Sequence, residues 1–265
     1  MIIRSDGKFG LKLGSVILVA TILAACSGPP DLGRNGKPVL TISAASNLIP
    51  AFEEIGELFE LETDIKIEFN FGGSGQLTEQ IIQGAPVDVF ASADAAYINV
   101  LLDEDLIVKS SVTDFAQGRI VLWTANSSSL ELHELQDLNQ PSVERLALAN
   151  PAYAPFGKAA KEALESVGLW ERVEGQIVFG DNVSQTLHMA EIGSADAAIV
   201  ALSLVLDSEG DWSMISEAQH GPIRQVIAVV QGTQNEEAAR LFVAYLKSAT
   251  GQEILQNFGY EGVAQ

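Results

Sequence analysis

The chain of 265 residues contains one cysteine, three histidines, and 15 lysines and arginines against 35 aspartates and glutamates. Each scarcity removes a class of function. With Cys26 alone, no internal disulfide can staple the fold and no cysteine cluster can hold zinc. His133, His188 and His220 fall in no spacing suited to a metal and in no motif that supplies a base to a catalytic serine. A formal charge of -20 and a pI near 4.3 argue against a nucleic-acid partner, because there is no basic excess to displace counterions from phosphates. The acid is spread in short runs such as Glu53-Glu54 and Asp103-Glu104-Asp105, which reads as a solvated surface rather than an acidic tail. No sequence period of about 20 to 50 residues marks a repeat architecture.

Apolar runs are short as well. The longest near the start, SVILVATILAAC, falls below the ~20 residues of a permanent membrane span. It follows Arg4, Lys8 and Lys12 and closes on small residues, the pattern of an export signal. Its ending, Leu23-Ala24-Ala25-Cys26, resembles the lipobox of bacterial lipoproteins. Residues 1–25 are therefore expected to be a lipoprotein signal peptide, with Cys26 the acylated first residue of the mature chain. Loss of Arg4, Lys8 and Lys12 with Asp6 leaves the remainder more negative still. The segment after Cys26, SGPPDLGRNGKP, is rich in glycine and proline and has no hydrophobic period, so residues 26–38 read as a flexible tether, with folding expected from Val39.

What the chain does have is a 47% hydrophobic content arranged as short apolar runs alternating with amphipathic stretches. That is the signature of an α/β protein with mostly parallel strands flanked by helices. Strands are expected at Leu40–Ala44, Ile65–Phe71, Val87–Ala91, Arg119–Thr124, Arg145–Ala149, Gln176–Phe179, Ala197–Leu202 and Arg224–Val230. Helices are expected after Ser46-Asn47, over Leu77–Ile82, Tyr97–Leu102, Lys158–Val167 and Ser184–Ile192, and at the end over Glu236–Lys247 and Gln252–Phe258. Four times a strand runs into small or polar residues that open a helix: Ala45-Ser46-Asn47, Gly72-Gly73-Ser74-Gly75, Asn150 to Gly157, and Gly180-Asp181-Asn182-Val183. Such corners lie beyond the carboxyl ends of strands, where helix N-termini offer unpaired N–H groups to an anion.

The glycine turn FNFGGSGQLTEQI is the sharpest of these. It lacks the lysine of a nucleotide P-loop, the third glycine of a dinucleotide fingerprint and the last glycine of a nucleophile elbow around Ser74. On its own residues it either seats an anion or merely bends, with Ser74 capping the next helix.

Seven segments, AASNL, FGGSGQLTEQI, GAPVDVFASAD, NPAYAPFGKAA, GLWERV, GDNVSQTL and ADAAIVALS, in this order, resemble the periplasmic molybdate-binding proteins of ABC importers, over nearly all of Val39 to Tyr260. The resemblance implies a two-lobed periplasmic-binding-protein fold of type II, with lobe I from 39–122 and 226–265 and lobe II from 123–225. It implies a non-enzymatic protein that holds molybdate or tungstate between the lobes, with no separate cofactor and no metal site other than the oxyanion itself. Ser46 and Ser74 would give hydroxyls, and Phe156 and Val183 backbone N–H groups. Part of the family donates a tyrosine hydroxyl where this chain has Ala201, and Asn47 is the expected substitute. The implied partners are an ABC permease with its ATPase and, through the lipid, a membrane. The implied location is the periplasm or the outer face of the cell membrane, as a monomer. The same fold binding sulfate, thiosulfate or phosphate is the neighbouring expectation.

Overall fold

The computed structural model describes residues 39–263, so the expected signal peptide, Cys26 and the tether lie outside the described residues. β1 (Val39–Ala45) begins the fold and is buried along its second half. A short 3-10 turn, Ser46–Leu48, leads into α1 (Ile49–Thr63), where Pro50 is tolerated in the first turn and Phe52, Ile55 and Phe59 recur on one buried face. Asp64 ends that helix in the left-handed region, at φ 61°. β2 (Lys66–Gly72) follows as an edge strand, and α2 (Ser74–Ile82), β3 (Val89–Ser92) and α3 (Ala95–Asp103) complete the first wind. β4 (Thr113–Gly118) is continued almost directly by β5 (Ile120–Ala125).

The second wind comprises β6 (Leu146–Ala149), α4 (Pro155–Ser166), the single turn α5 (Trp170–Val173), β7 (Ile177–Gly180), α6 (Val183–Glu191), β8 (Ala197–Ala201) and β9 (Gly210–Met214). β10 (Ile223–Val229), α7 (Glu236–Leu246) and α8 (Ala249–Asn257) close the chain. Phe242 of α7 packs edge-on against Phe52 and Phe59 of α1, with ring centroids 5.9 and 5.3 Å apart, which fixes the C-terminal helices to the first lobe.

The strands form two five-stranded sheets, ordered β2-β1-β3-β10-β4 and β7-β6-β8-β5-β9. Both follow one plan. Three strands pair in parallel, the fourth runs against them, and the fifth pairs antiparallel to the fourth. Only β10 and β5 are reversed, so strand direction is mostly parallel as expected, while the hydrogen bonding makes each sheet mixed. The reversed strand in each sheet is the one that has just arrived from the other lobe. The chain leaves the first sheet after Gly118, enters the second at Ile120, leaves it at Met214 and returns at Ile223. These crossings fall a few residues ahead of the divisions drawn from the sequence at 122/123 and 225/226.

Two strands had no clear signature. β4 (TDFAQG) and β9 (GDWSM) are the outer strands beside β10 and β5, and their residues mix polar with apolar because one face and one edge meet water.

Candidate functional site

The four strand-to-helix corners meet. A small cavity, about 200 Å3 including its opening to solvent, is lined from the first lobe by Ser46, Asn47 and the Gly72–Ser74 turn, and from the second by Ala154 to Phe156, Asn182 and Val183. All five residues singled out from the sequence line it. No lysine, arginine, histidine, aspartate or glutamate does so among the described residues. Nor do the described residues contain a cluster of histidine, cysteine and acidic side chains able to hold a metal ion.

What the lining offers is donors. Ser46 and Ser74 are 3% and 1% exposed. Ser74 Oγ accepts the Ala93 N–H at 3.1 Å and Ser46 Oγ accepts the Ser184 N–H at 3.4 Å. Both hydroxyls act as acceptors in these bonds, so each keeps its own hydrogen to donate. On the second lobe, α4 starts with Pro155, which has no N–H, so the first amide of that helix belongs to Phe156. At α6 the Asn182 side chain caps the Gln185 N–H at 3.0 Å and Ser184 points to Ser46, leaving the N–H of Val183. The Ser74 N–H, at the first position of α2, likewise has no acceptor within its helix. The positive ends of α2, α4 and α6 therefore point at one small space.

Asn47 behaves differently from its expected role. Its Nδ2 donates to Gln225 Oε1 at 2.9 Å and to the Tyr260 hydroxyl at 2.8 Å. Both amide hydrogens are thereby committed to the fold, and neither Gln225 nor Tyr260 lines the cavity. The opposite arm of the amide, Oδ1, is buried with no hydrogen-bond partner among the described residues. A side-chain donor to an oxyanion in place of the tyrosine absent at Ala201 is thus not free in this arrangement. Burial holds the Tyr260 hydroxyl well above the usual tyrosine range, against the opposing pull of its hydrogen bonds to Ser203 and Asn47, so it stays protonated.

The lobes are closed on one another. The Gly75 N–H donates across the cleft to the Tyr153 carbonyl at 3.1 Å, and Lys158 lies 3.9 Å from Asp94 on the opposite side. A Cβ at Gly75 would stand 2.8 Å from Tyr153 Cβ and 2.9 Å from its carbonyl oxygen, so this approach requires glycine.

Residues 40–261 match the family of bacterial extracellular solute-binding proteins. The chain belongs to that family. It is 33% identical to a molybdate-binding protein of Rhodobacter capsulatus over 91% of this chain and 94% of that one. It is 30% identical to a putative ABC transporter substrate-binding lipoprotein of Bacillus subtilis, over 96% and 98%. The solved periplasmic molybdate-binding protein of Azotobacter vinelandii superposes with a TM-score of 0.81 at 26% identity, covering 85% of this chain and all of that one.

For a solute-binding protein, the cross-cleft bonds are as informative as the lining, and sequence reasoning did not find them. Gly75 is legible as a turn glycine, but nothing nearby signals that its partner is Tyr153. Tyr260, Gln225 and Ser203 were missed for the same reason: they meet Asn47 from 213, 178 and 156 residues away.

Proposed function

We propose that this solute-binding protein captures molybdate, and tungstate equally, in the interlobe cleft and presents it to the permease of an ABC importer. The observation that carries the reading is the convergence of uncharged donors from both lobes on a cavity lined by no ionisable group. The ligand set is the Ser46 and Ser74 hydroxyls with the N–H groups of Ser74, Phe156 and Val183. Five bonds to a charged acceptor would contribute roughly 8 to 15 kcal/mol before association costs, against about 12 for a nanomolar site.

Neutral donors suit a fully ionised oxyanion, which brings acceptors only; a protonated one such as hydrogen phosphate brings a hydrogen that those five donors cannot pair. Sulfate has the same charge in a smaller shell, so its rejection rests on donors held too far apart for it. The names of the relatives support molybdate over sulfate. The lining has no base beside Ser74, which supports binding rather than hydrolysis. The lipobox-like run ending at Cys26 supports a mature chain tethered by lipid outside the cytoplasmic membrane, in keeping with the lipoprotein relative.

The test is thermal unfolding and calorimetry of the soluble domain with molybdate, tungstate, sulfate, thiosulfate and phosphate in turn. At about 100 times Kd a true ligand adds about 2.7 kcal/mol, a shift of several degrees. Molybdate and tungstate should give it. A larger shift with sulfate or thiosulfate would replace the molybdate reading with its sibling, and no response to any oxyanion would end both.

A further inference from the structure

Behind the cleft, one buried residue is gripped from three parts of the chain. The Asn47 carbonyl accepts from the Ser203 hydroxyl at 2.8 Å and from the Tyr260 hydroxyl at 2.7 Å, while its Nδ2 donates to Tyr260 and Gln225. Both lone pairs of the backbone carbonyl and both side-chain amide hydrogens are therefore used, while Oδ1 stays unpartnered among the described residues. Asn47 is 1% exposed and Tyr260 4%, so water cannot substitute for a lost partner.

Tyr260 arrives there on a strap. After α8 the chain turns at Gly259, with φ 77°, and Glu261 forms a two-way backbone bridge with Gln117, at 2.8 and 2.9 Å. Arg119, the residue between the two sheets at the first crossing, pairs with Glu261 and, at 3.1 Å, with Glu217 on the returning crossing. The last described segment thus ties both crossings together and projects one phenol inward. Ser203 follows β8 in the second lobe, so the grip on Asn47 joins the lobes as well as the strap.

We propose that Tyr260 is a positioning residue of the anion site, fixing the Ser46-Asn47 corner so that the Ser46 donor stands at a set distance from those of the other corners. The inference rests on the proposed role of that corner in oxyanion binding. It follows because Ser46 shares a peptide with Asn47, and a ring of neutral donors selects by spacing. A corner free to shift would accept a smaller anion nearly as well. Tyr260 touches no ligand; it acts through Asn47.

The test compares Tyr260→Phe, Ser203→Ala and Glu261→Ala in the full chain, each read by molybdate Kd, sulfate Kd and ligand-free Tm. Tyr260→Phe keeps the ring and its packing but removes the hydroxyl. It should weaken molybdate binding about tenfold and narrow the molybdate-to-sulfate ratio. Ser203→Ala, which removes the other hydroxyl on the same carbonyl, should move both readouts in the same direction, and it carries the test if the tyrosine variant does not fold. Glu261→Ala loosens the strap without touching Asn47 and should change Tm while leaving Kd within about twofold.

A lowered Tm with unchanged molybdate Kd in both hydroxyl variants would make the network merely structural and overturn the proposal. So would an equal loss of affinity in Glu261→Ala. A wild-type protein that fails to bind molybdate would instead overturn the functional reading on which the proposal stands.

Discussion

Ser74→Ala separates two jobs of one oxygen. Ser74 Oγ accepts the buried Ala93 N–H at 3.1 Å, and its own hydrogen is left for a ligand. Removing the oxygen orphans Ala93, a loss of about 1 to 3 kcal/mol of ligand-free stability. For a domain of this size that lowers Tm by roughly 2 to 4 °C per kcal/mol. It also removes a hydrogen bond to a charged acceptor, worth about 1.5 to 3 kcal/mol, which raises the molybdate Kd roughly 10- to 150-fold. Ser46→Ala supplies the contrast. Its Oγ accepts only a long 3.4 Å bond from Ser184, so its ligand-free Tm should fall less while its Kd rises by a similar factor. Calorimetry for Kd and scanning calorimetry for Tm measure the two effects on the same samples. If Ser74→Ala melts lower yet binds molybdate within about twofold of wild type, the hydroxyl is only a tie to Ala93 and the donor ring is wrong.

Gly75→Ala places a methyl 2.8 Å from Tyr153 Cβ across the cleft and 3.2 Å from the Tyr97 ring in its own lobe, so closure should fail: ligand-free Tm falls only slightly, affinity drops at least about tenfold, and small-angle scattering shows no contraction on adding molybdate. Among the described residues no ionisable side chain lines the anion cavity, so affinity should be flat from about pH 6 to 9; a step inside that window would reveal a titrating protein group. Stability should behave otherwise at high pH. Because the folded Tyr260 holds its proton more tightly than the unfolded chain does, its contribution is complete below the ordinary tyrosine range, about 10, and is lost as pH rises beyond it. Denaturant melts should show wild type losing stability faster than Tyr260→Phe on that alkaline limb, so that the gap between them narrows. Finally, the charge of -20 repels a dianion at long range, so the molybdate association rate in stopped flow should rise with added salt; a fall would point to basic residues at the cleft mouth.

The fold was legible wherever the chain punctuates itself. β1, β2, β6 and β7 each end in residues that also open a helix or turn, so strand, corner and helix could be read from adjacent letters at Ser46, Ser74, Phe156 and Val183. The same locality explains what was not legible. β4 and β9 pack one face on a sheet margin, and such strands tolerate the aspartates, glutamine and glycines that blur their alternation. Asn47 misled for a related reason. Its position beside Ser46 suggested a side chain facing the ligand, yet its amide is turned toward Gln225 and Tyr260 by partners that no local pattern could reveal. The residues proposed to touch the anion sit at corners, and corners have local grammar. Residues that hold a corner in place come from wherever the chain happens to return.

That division bears on how an acidic protein can select an anion at all. A lysine in the cleft would attract any oxyanion and distinguish poorly among equal charges, because its flexible ammonium adapts its distance. Backbone N–H groups at the starts of α2, α4 and α6 cannot adapt, since each is fixed by its own helix, and their partial charges act only at short range. The surface charge is screened beyond about 8 Å at physiological salt, so it slows approach without reaching the bound state. Discrimination then depends on how rigidly the corners are spaced. Three of them are anchored by a helix of nine or twelve residues beginning at the cleft. The fourth, at Ser46, opens on a short 3-10 turn of three residues before α1 begins. It is the corner with the weakest intrinsic anchor, and it is the one that receives Ser203, Gln225 and the C-terminal tyrosine.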